Sequence, residues 1–212
     1  MRVFEDRREG GRELADKLKA YAGRADVLLY ALPRGGVVVG AEIADALKLP
    51  LDVIVTRKIG SPTNEEYAIG ALSETGESMW NEAEREAADQ KRLKKIVEQE
   101  QKEAQRRIKV YRQGRTLPDF AGKTVVLIDD GIATGLTIRA AVAAAKHQHA
   151  AKIVIAVPHG AVETIAQTRR EGDEVIALAE PEFYGSVGQF YRDFPQTSDD
   201  EVLKILKTYG PK

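Results

Sequence analysis

The sequence predicts one α/β domain with an open, mostly parallel β-sheet and helices on both faces. Two observations predict this class. Short runs that are almost wholly apolar recur along the chain, as expected of strands buried on both faces of a parallel sheet. Helix-like stretches lie between these runs, and the alternation indicates βαβ units. The predicted strands are 27–31, 51–56, 124–128, 152–157 and the more weakly apolar 174–178.

Helices are predicted before, between and after these strands. An amphipathic segment ahead of the first strand would cover one face of the sheet, and three helices connect successive strands. A short helix closes the chain. The predicted ranges are 11–21, 37–47, 136–147, 161–171 and 199–209.

Residues 81–115 depart from this alternation. The segment has no Pro, and Leu93, Val97, Ala104 and Ile108 recur at helical spacing, which predicts one long helix with a narrow apolar stripe. At about 1.5 Å per residue it would extend roughly 50 Å. We interpret it as an insertion that lies across the core or pairs with a second subunit in a homodimer. It holds eleven Lys and Arg against seven Asp and Glu, which fits a solvated face, a dimer contact or a nucleic-acid patch.

The composition excludes several classes of protein. The 212 residues suffice for one sizeable core, so 1–212 are expected to form a single domain. The absence of Cys excludes disulfide frameworks, thiolate metal sites and Cys nucleophiles. A net charge of −1 excludes a wholly basic surface for nucleic acid. No apolar run approaches the roughly 20 residues that span a membrane. The amino terminus lacks a secretory apolar stretch, so the cytoplasm is the expected compartment.

The segment 125–137, VVLIDDGIATGLT, carries the strongest chemical signal. It reads as the end of a buried strand, two carboxylates, a Gly-rich turn and a helix start. Gly131 and Gly135 permit backbone angles closed to other residues, so that N–H groups can point into one concavity. Thr134 and Thr137 add hydroxyl donors, and the helix adds its positive amino-terminal end. The turn is therefore suited to a phosphate.

Asp129 and Asp130 cannot be phosphate ligands, because like charges repel. They are suited to accept hydrogen bonds from a vicinal diol or to face a divalent cation. A phosphate beside a diol describes a ribose 5-phosphate. The turn contains no Lys, which excludes a nucleotide-hydrolase P-loop, and it lacks the third Gly of the dinucleotide fingerprint.

Residues 125–137 resemble the thirteen-residue signature of the type I phosphoribosyltransferases, and the similarity spans most of residues 24–209. The chain is most similar to stand-alone bacterial and archaeal members. The resemblance implies that a nitrogenous base displaces pyrophosphate from phosphoribosyl pyrophosphate. The resemblance also implies Mg²⁺ as cofactor, held mainly through substrate and water. The candidate side-chain contacts of the ion are Asp129 and Asp130. The 5-phosphate would bind to Gly131, Ile132, Ala133, Thr134, Gly135, Leu136 and Thr137.

Two further strand ends are expected to bind the pyrophosphate group. Arg34, Gly35 and Gly36 follow the first strand and resemble the family's pyrophosphate loop, with Gly allowing close backbone approach to an anion. Arg57 and Lys58 end the next strand, at the sheet edge where ligands of open α/β sheets bind. Two surface cations at a loop start would be the alternative. We assign the catalytic roles to Arg34, Lys58, Asp129 and Asp130.

The base side of the site is less defined. Residues 61–75 resemble the mobile loop that relatives close over the reacting centre. Just past the strand 152–157, His159 is a candidate for contact with the base or for a structural turn residue. The aromatic-rich segment 181–195, called the hood segment, resembles the family's hood. Within it, Phe190 and Tyr191 would stack on a base or belong to the core.

The acceptor base is open, but one restriction follows from the resemblance. Relatives specific for 6-oxopurines carry a carboxylate at the position of Ala133, which can neither accept nor donate a proton. Base activation would then fall to His159, Glu65 or Glu66. The alternative function is a regulator that senses phosphoribosyl pyrophosphate and binds nucleic acid. The charge of −1 disfavours it, and nucleic acid is not an expected partner.

Overall fold

The computed structural model describes residues 2–211, without the side chain of Glu66, and its elements largely follow the predicted alternation. The helices are α1 (Arg7–Lys17), α2 (Gly35–Leu47), α3 (Glu82–Ala87), α4 (Gln90–Arg112), α5 (Leu136–His147), α6 (Val162–Thr168) and α7 (Asp199–Tyr209). The strands are β1 (Val27–Ala31), β2 (Leu51–Val53), β3 (Thr56–Ser61), β4 (Asn64–Ser73), β5 (Ser78–Trp80), β6 (Thr124–Ile128), β7 (Lys152–His159) and β8 (Glu174–Ala179).

The predicted parallel sheet is confirmed. Five strands lie in the order β2-β1-β6-β7-β8, and each neighbouring pair is parallel. Alternate strand residues face opposite layers, as the two-residue period requires. Val126 and Ile128 pack in the layer that contains α1, α2 and α7, whereas Val125 and Leu127 pack in the layer that contains α5 and α6. Both faces of the sheet are therefore covered by helices.

The prediction for 51–56 is wrong at its end. The strand β2 stops at Val53, and Thr56 begins β3 in a separate antiparallel sheet of order β3-β4-β5. The expected loop 61–75 is mostly the hairpin strand β4. This second sheet packs on α5 and α4, with Ala71 beside Leu136 and Ala140. The connection after β2 therefore leads into a second sheet rather than into a loop.

The single long helix predicted over 81–115 is two helices. The chain leaves helical geometry at Ala88, and the Asp89 side chain caps α4 by accepting from the N–H groups of Lys91 and Arg92. At 1.5 Å per residue, the 23 residues of α4 extend about 35 Å.

The apolar stripe of α4 packs on its own chain. Leu93, Ala104 and Tyr111 are buried, and Val97 and Ile108 lie against the same core. The stripe therefore no longer indicates a second subunit, and the homodimer stays a prediction.

The remaining helices differ from prediction mainly at their ends. Helices α5 and α7 coincide with the predicted ranges, and Ser198 and Glu201 form a capping box on α7. Helix α1 begins earlier than predicted, at Arg7, because Asp6 accepts from the Glu9 N–H at 2.8 Å. Among the described residues, no helix combines the length and apolarity that a bilayer crossing requires.

Candidate functional site

The site lies where the strand order reverses. The chain runs from β1 outward to β2 on one side and later returns to β6 on the other, so the crevice beyond β1 and β6 is the topological switch point. The loop that enters α2 leaves the end of β1, and Asp129 and Asp130 follow β6 directly. Leu32 N–H donates to Ile128 O at 2.8 Å, which ties the two strand ends together.

Asp130 is held by a residue from the first helix. Arg7 Nε donates to Asp130 Oδ2 at 2.7 Å, and both side chains are largely buried, at 9% and 15% exposed. Arg7 also donates to the carbonyl of Pro195 at 2.8 Å and lies 3.7 Å from the centre of the Phe194 ring. The Tyr191 hydroxyl donates to Asp130 O at 2.6 Å. The first helix and the hood segment therefore fix this carboxylate in place.

Asp129 has a different environment from its neighbour. Its Oδ1 accepts from the Asp130 N–H at 2.9 Å. Burial and the adjacent Asp130 charge raise the pKa of Asp129 well above its usual value. Two carboxylates with unequal environments therefore face the same cleft.

Gly35 and Gly36 allow close packing against the acid pair. A Cβ on Gly35 would overlap the Asp130 carboxylate and lie 2.9 Å from Arg7 Nε, and one on Gly36 would lie 2.7 Å from Ile128 O. Close approach to an anion stays a prediction for these glycines, and the structure gives a second reason for them. Their small size first allows the loop after β1 to pack on the Asp129–Asp130 turn.

These contacts predict different outcomes for the two glycines. Gly36→Ala should destabilise the protein by about 1–3 kcal/mol, because its Cβ meets backbone atoms that cannot move independently. Gly35→Ala should act through a side chain instead, because its Cβ displaces the Asp130 carboxylate from Arg7, and the loss should approach the roughly 3 kcal/mol expected for breaking this buried pair. Thermal unfolding of both variants measures the difference. A Gly35→Ala variant as stable as wild type would contradict this assignment.

One cleft of about 590 Å³ contains both acids, Lys58 and the predicted phosphate turn. Gly135 adopts a left-handed φ of 75° immediately before α5, as predicted. Gly131 does not have a left-handed φ. A Cβ added at this position would lie 2.6 Å from His159 Cε1, so close packing requires glycine here. The cleft is lined by Lys58, Tyr67, Ala68, Asp129, Asp130, Gly131, Ala133, Thr134, Gly135, Thr137, Ala161, Tyr184, Gly185, Ser186 and Val187.

The turn presents its helix end and hydroxyls to this cleft. Thr164 Oγ1 donates to Ala133 O at 2.8 Å, and Ile132 N–H donates to His159 O at 3.0 Å, so the turn is anchored from behind. The first N–H groups of α5 have no intrahelical partner by helix geometry. Ile132 and Leu136 are buried and support the turn rather than line the cleft.

A second pocket of about 370 Å³ lies on the Arg7 side of the acid pair. It receives Arg34, Gly35 and Arg57, whereas Lys58 faces the first cleft. The sequence-predicted pyrophosphate residues are therefore divided between the two spaces. This pocket is lined by Arg7, Pro33, Arg34, Gly35, Arg57, Arg107, Phe194, Pro195, Gln196 and Thr197.

Its arginines are oriented by carboxylates from outside the pocket. Arg34 lies 3.5 Å from Asp199 of α7, and Arg57 Nε donates to Glu100 of α4 at 2.6 Å. The Asp199 carboxylate also accepts from the Tyr111 hydroxyl at 2.5 Å. The Tyr111 hydrogen bond contributes most to a lowered pKa of Asp199, which therefore stays ionised beside Arg34. The pocket is therefore lined by four arginines, Arg7, Arg34, Arg57 and Arg107, each with a carboxylate partner within 4 Å.

His159, Phe190 and Tyr191 lie behind the cleft, not on its wall. His159 ends β7 and has no exposed surface, and its Nδ1 is 2.9 Å from the Tyr184 hydroxyl. Phe4, Phe190 and Tyr191 surround the imidazole, and burial lowers the pKa of His159 to about 4. The predicted base contacts of these three residues are therefore not supported. The neutral imidazole is instead part of an aromatic cluster.

The hood segment reaches the cleft through other residues. Tyr184 and Val187 line it, whereas Phe183 is exposed to solvent. Glu65 is exposed in β4, and the side chain of Glu66 lies outside the described residues. Tyr67 lines the cleft from the same strand.

Sequence reasoning missed Arg7 and Arg107. Arg7 and Asp130 are 123 residues apart, and Arg7 precedes the predicted start of the first helix. Arg107 lies in the segment interpreted as a solvated face, but the side chain is 9% exposed. Neither arginine belongs to a motif, so only the tertiary structure shows that they reach the site.

The comparisons with known proteins agree with this architecture. The family model "Phosphoribosyl transferase domain" matches residues 5–194. The protein TT1426 from Thermus thermophilus is 36% identical in its crystal structure, with a TM-score of 0.78 and 100% of both chains covered. A hypothetical protein from Neisseria gonorrhoeae, solved with bound ppGpp, has a TM-score of 0.52 at 14% identity, over 98% of this chain and 97% of that one. That likeness shows the fold alone.

A longer curated relative comes from Mycobacterium tuberculosis. The protein Rv0571c, provisionally named a phosphoribosyl transferase, is 42% identical over 213 residues, which cover 97% of this chain and 47% of that protein. The chain thus spans about half the length of the curated relatives it matches. Because the family model covers most of the sequence and the fold agrees, the chain belongs to the phosphoribosyl transferase domain family.

Proposed function

We propose that the chain is a phosphoribosyltransferase that moves the 5-phosphoribosyl group of phosphoribosyl pyrophosphate to a nitrogenous base. The observation that carries this proposal is the order of groups at one sheet edge. The turn 131–137 lies on one side of Asp129 and Asp130, and the arginine pocket lies on the other. Phosphoribosyl pyrophosphate likewise has a phosphate on one side of its vicinal hydroxyls and a pyrophosphate on the other.

The phosphate and ribose roles follow from the donors and acceptors in the cleft. Thr134 and Thr137 supply hydroxyls, and the start of α5 supplies backbone N–H groups for the 5-phosphate. Asp129 and Asp130 accept hydrogen bonds from the ribose hydroxyls. Arg7 keeps the Asp130 carboxylate in one orientation, so the sugar meets a preformed acceptor.

Pyrophosphate release is the step that the arginine pocket would assist. The bond between the anomeric carbon and the pyrophosphate oxygen breaks, a bond from the base nitrogen forms, and the base loses its proton. Negative charge therefore develops on the leaving group. Arg34 and Arg57 in the pocket and Lys58 in the adjoining cleft are suited to stabilise it.

The residues fit a magnesium ion held mainly by substrate. Among the described residues, no cluster of three or more Asp, Glu or His side chains could form a protein-only metal site. One oxygen of Asp130 is engaged by Arg7 and one of Asp129 by a backbone N–H, so the two carboxylates offer few oxygens to an ion. Mg²⁺ prefers such a site, with few protein carboxylates and several phosphate or water ligands. The ion would neutralise pyrophosphate charge when bound.

Titration calorimetry with phosphoribosyl pyrophosphate and MgCl₂ tests the proposal directly. We expect binding, followed by pyrophosphate release when a panel of purines, pyrimidines and amines is added. The absence of binding would refute the proposed function. Binding without pyrophosphate release for any acceptor would show that the protein is not a transferase for these acceptors and would favour a sensor of phosphoribosyl pyrophosphate.

A further prediction concerns the acceptor. Ala133 lines the cleft, where its methyl group cannot exchange a proton with a purine ring. Hypoxanthine and guanine are therefore expected to react more slowly than adenine, uracil or orotate. Initial rates of pyrophosphate release at equal base concentration make the comparison. A clear preference for the 6-oxopurines would contradict it, as would improved use of the other bases by Ala133→Asp.

The alternative of a regulator that binds nucleic acid draws on the positive excess of residues 81–115. Ion pairs lower this excess only in part. Arg112 and Arg115 pair with Glu74 and Asp52, which lie outside the segment, whereas Arg85, Arg92, Arg106 and Arg107 have partners within it that the excess already counts.

A further inference from the structure

Helix α4 reaches the arginine pocket with one of its own side chains. Arg107 lines this pocket together with Arg34 and Arg57. The remainder of α4 packs along the core and the second sheet. A segment that interrupts the alternation of strands and helices therefore forms one wall of a site built otherwise from strand ends and the hood segment.

Arg107 is anchored rather than loosely placed. Its Nε donates to Glu103 at 2.8 Å, one helical turn earlier, and its side chain is 9% exposed. A terminal nitrogen donates to Pro33 O at 3.4 Å, which joins α4 to the loop after β1. A guanidinium has five N–H donors, so donors remain for a ligand after these two bonds.

The same helix orients a second arginine of the pocket. Glu100 accepts from Arg57 Nε at 2.6 Å, and both side chains are 23% exposed. Glu100 does not itself line the pocket, so it positions Arg57 from behind the pocket wall, although its charge partly offsets that of Arg57. Glu103 has the same relation to Arg107.

We propose that α4 is part of the pyrophosphate-binding site, with Arg107 as a binding residue and Glu100 as the positioning residue for Arg57. This inference rests on the proposed function. Guanidinium groups recognise phosphate oxygens through paired N–H donors, and a pyrophosphate group presents enough oxygens for several arginines. Helix α4 then contributes to substrate affinity as well as to the core.

The test compares Arg107→Gln, Glu100→Gln and the control Lys102→Gln by titration calorimetry in MgCl₂. Lys102 is exposed on α4 and absent from both pockets. The ligands are phosphoribosyl pyrophosphate, pyrophosphate and ribose 5-phosphate. Loss of Arg107 should weaken the first two by roughly tenfold or more. Glu100→Gln should weaken the same two ligands, by less. Ribose 5-phosphate, which uses the turn 131–137, should bind both variants as it binds wild type.

The controls separate the possible failures. Lys102→Gln should change each affinity by less than about twofold, as expected of a surface substitution. Unchanged pyrophosphate binding by Arg107→Gln would overturn the inference and leave the proposed function intact. Equal weakening of all three ligands in both pocket variants would also overturn it, since a structural role would explain that result. A wild-type protein that binds none of the three ligands would instead refute the proposed function.

Discussion

Replacement of Asp130 with Asn is expected to lower the rate of pyrophosphate release by roughly a hundredfold or more, since it removes a preorganised charge from the reacting centre. Asn keeps the size of the side chain but accepts hydrogen bonds through one oxygen only. The measurement is initial rate with the best acceptor, alongside calorimetry with phosphoribosyl pyrophosphate. Unchanged turnover would show that the ribose hydroxyls bind elsewhere.

The same substitution should also reduce stability, which the sequence alone does not predict. From the motif, Asp130→Asn is expected to leave the fold intact. In the structure, however, it leaves the buried Arg7 guanidinium without its ionic partner. Removal of one partner from such a pair should cost about 3 kcal/mol, the low end of the range for buried pairs. For a chain of this length that corresponds to a thermal midpoint lower by roughly 6–12 °C.

A double variant separates the two effects of this substitution. Arg7→Met in the Asp130→Asn background removes the unpaired charge and should recover part of the lost stability. Turnover should stay low, because the carboxylate is still absent. Recovery of turnover together with stability would mean that Asp130 acts only through folding. Equal stability of Asp130→Asn and wild type would show that the ion pair contributes nothing.

The central sheet could be predicted because its strands carry a strong local signal. Every residue of β6 is buried, so the run 124–128 is apolar apart from Thr124. The carboxylates and glycines that follow occur in an unusual order. This order identifies the motif even when the rest of the sequence is not considered. Ligands of such sheets bind at the carboxyl ends of strands, so placing Asp129 and Asp130 at the site needed no tertiary information.

The second sheet could not be predicted in the same way. Residues 51–55 form one continuous apolar run apart from Asp52, although β2 ends at Val53 and Ile54 and Val55 are buried in the connection. Strand β4 meets α5 with small residues such as Ala68 and Ala71, which give a weak pattern. Gly60, Gly70 and Gly76 indicated a loop, but a Cβ on Gly70 would lie 2.5 Å from the Trp80 ring, which is a packing constraint within the sheet.

The aromatic residues show a similar limit. The resemblance to the family's hood implied that the hood segment would contribute flat side chains, and Tyr184 does line the cleft. Which aromatic residue faces the cleft depends on the 3₁₀ helix Val187–Phe190, which turns Phe190 inward against His159. A segment without regular periodicity gives no means of assigning these directions in advance.

The largest stability effect is expected at Arg112, the last residue of α4. Its side chain and that of Glu74 form an ion pair and are 1% and 3% exposed. Glu74 also accepts from the Val55 N–H at 2.7 Å, so the pair joins α4, the end of β4 and the connection after β2. Arg112→Met would leave the Glu74 carboxylate buried without its ionic partner. The expected loss is about 3–5 kcal/mol in the free energy of unfolding.

Urea unfolding of three variants tests this expectation. Arg92→Met is the matched control on the same helix, because Arg92 and its partner Asp89 are 70% and 53% exposed and their pair should contribute less than about 1 kcal/mol. Arg112→Met with Glu74→Gln removes both charges and keeps an acceptor for Val55, so it should recover more than half of the loss. An Arg112→Met variant as stable as Arg92→Met would show that this buried pair does not hold α4 against the second sheet. If the double variant is no more stable than Arg112→Met alone, the loss of stability comes from the packing of the long Arg112 side chain rather than from the unpaired carboxylate.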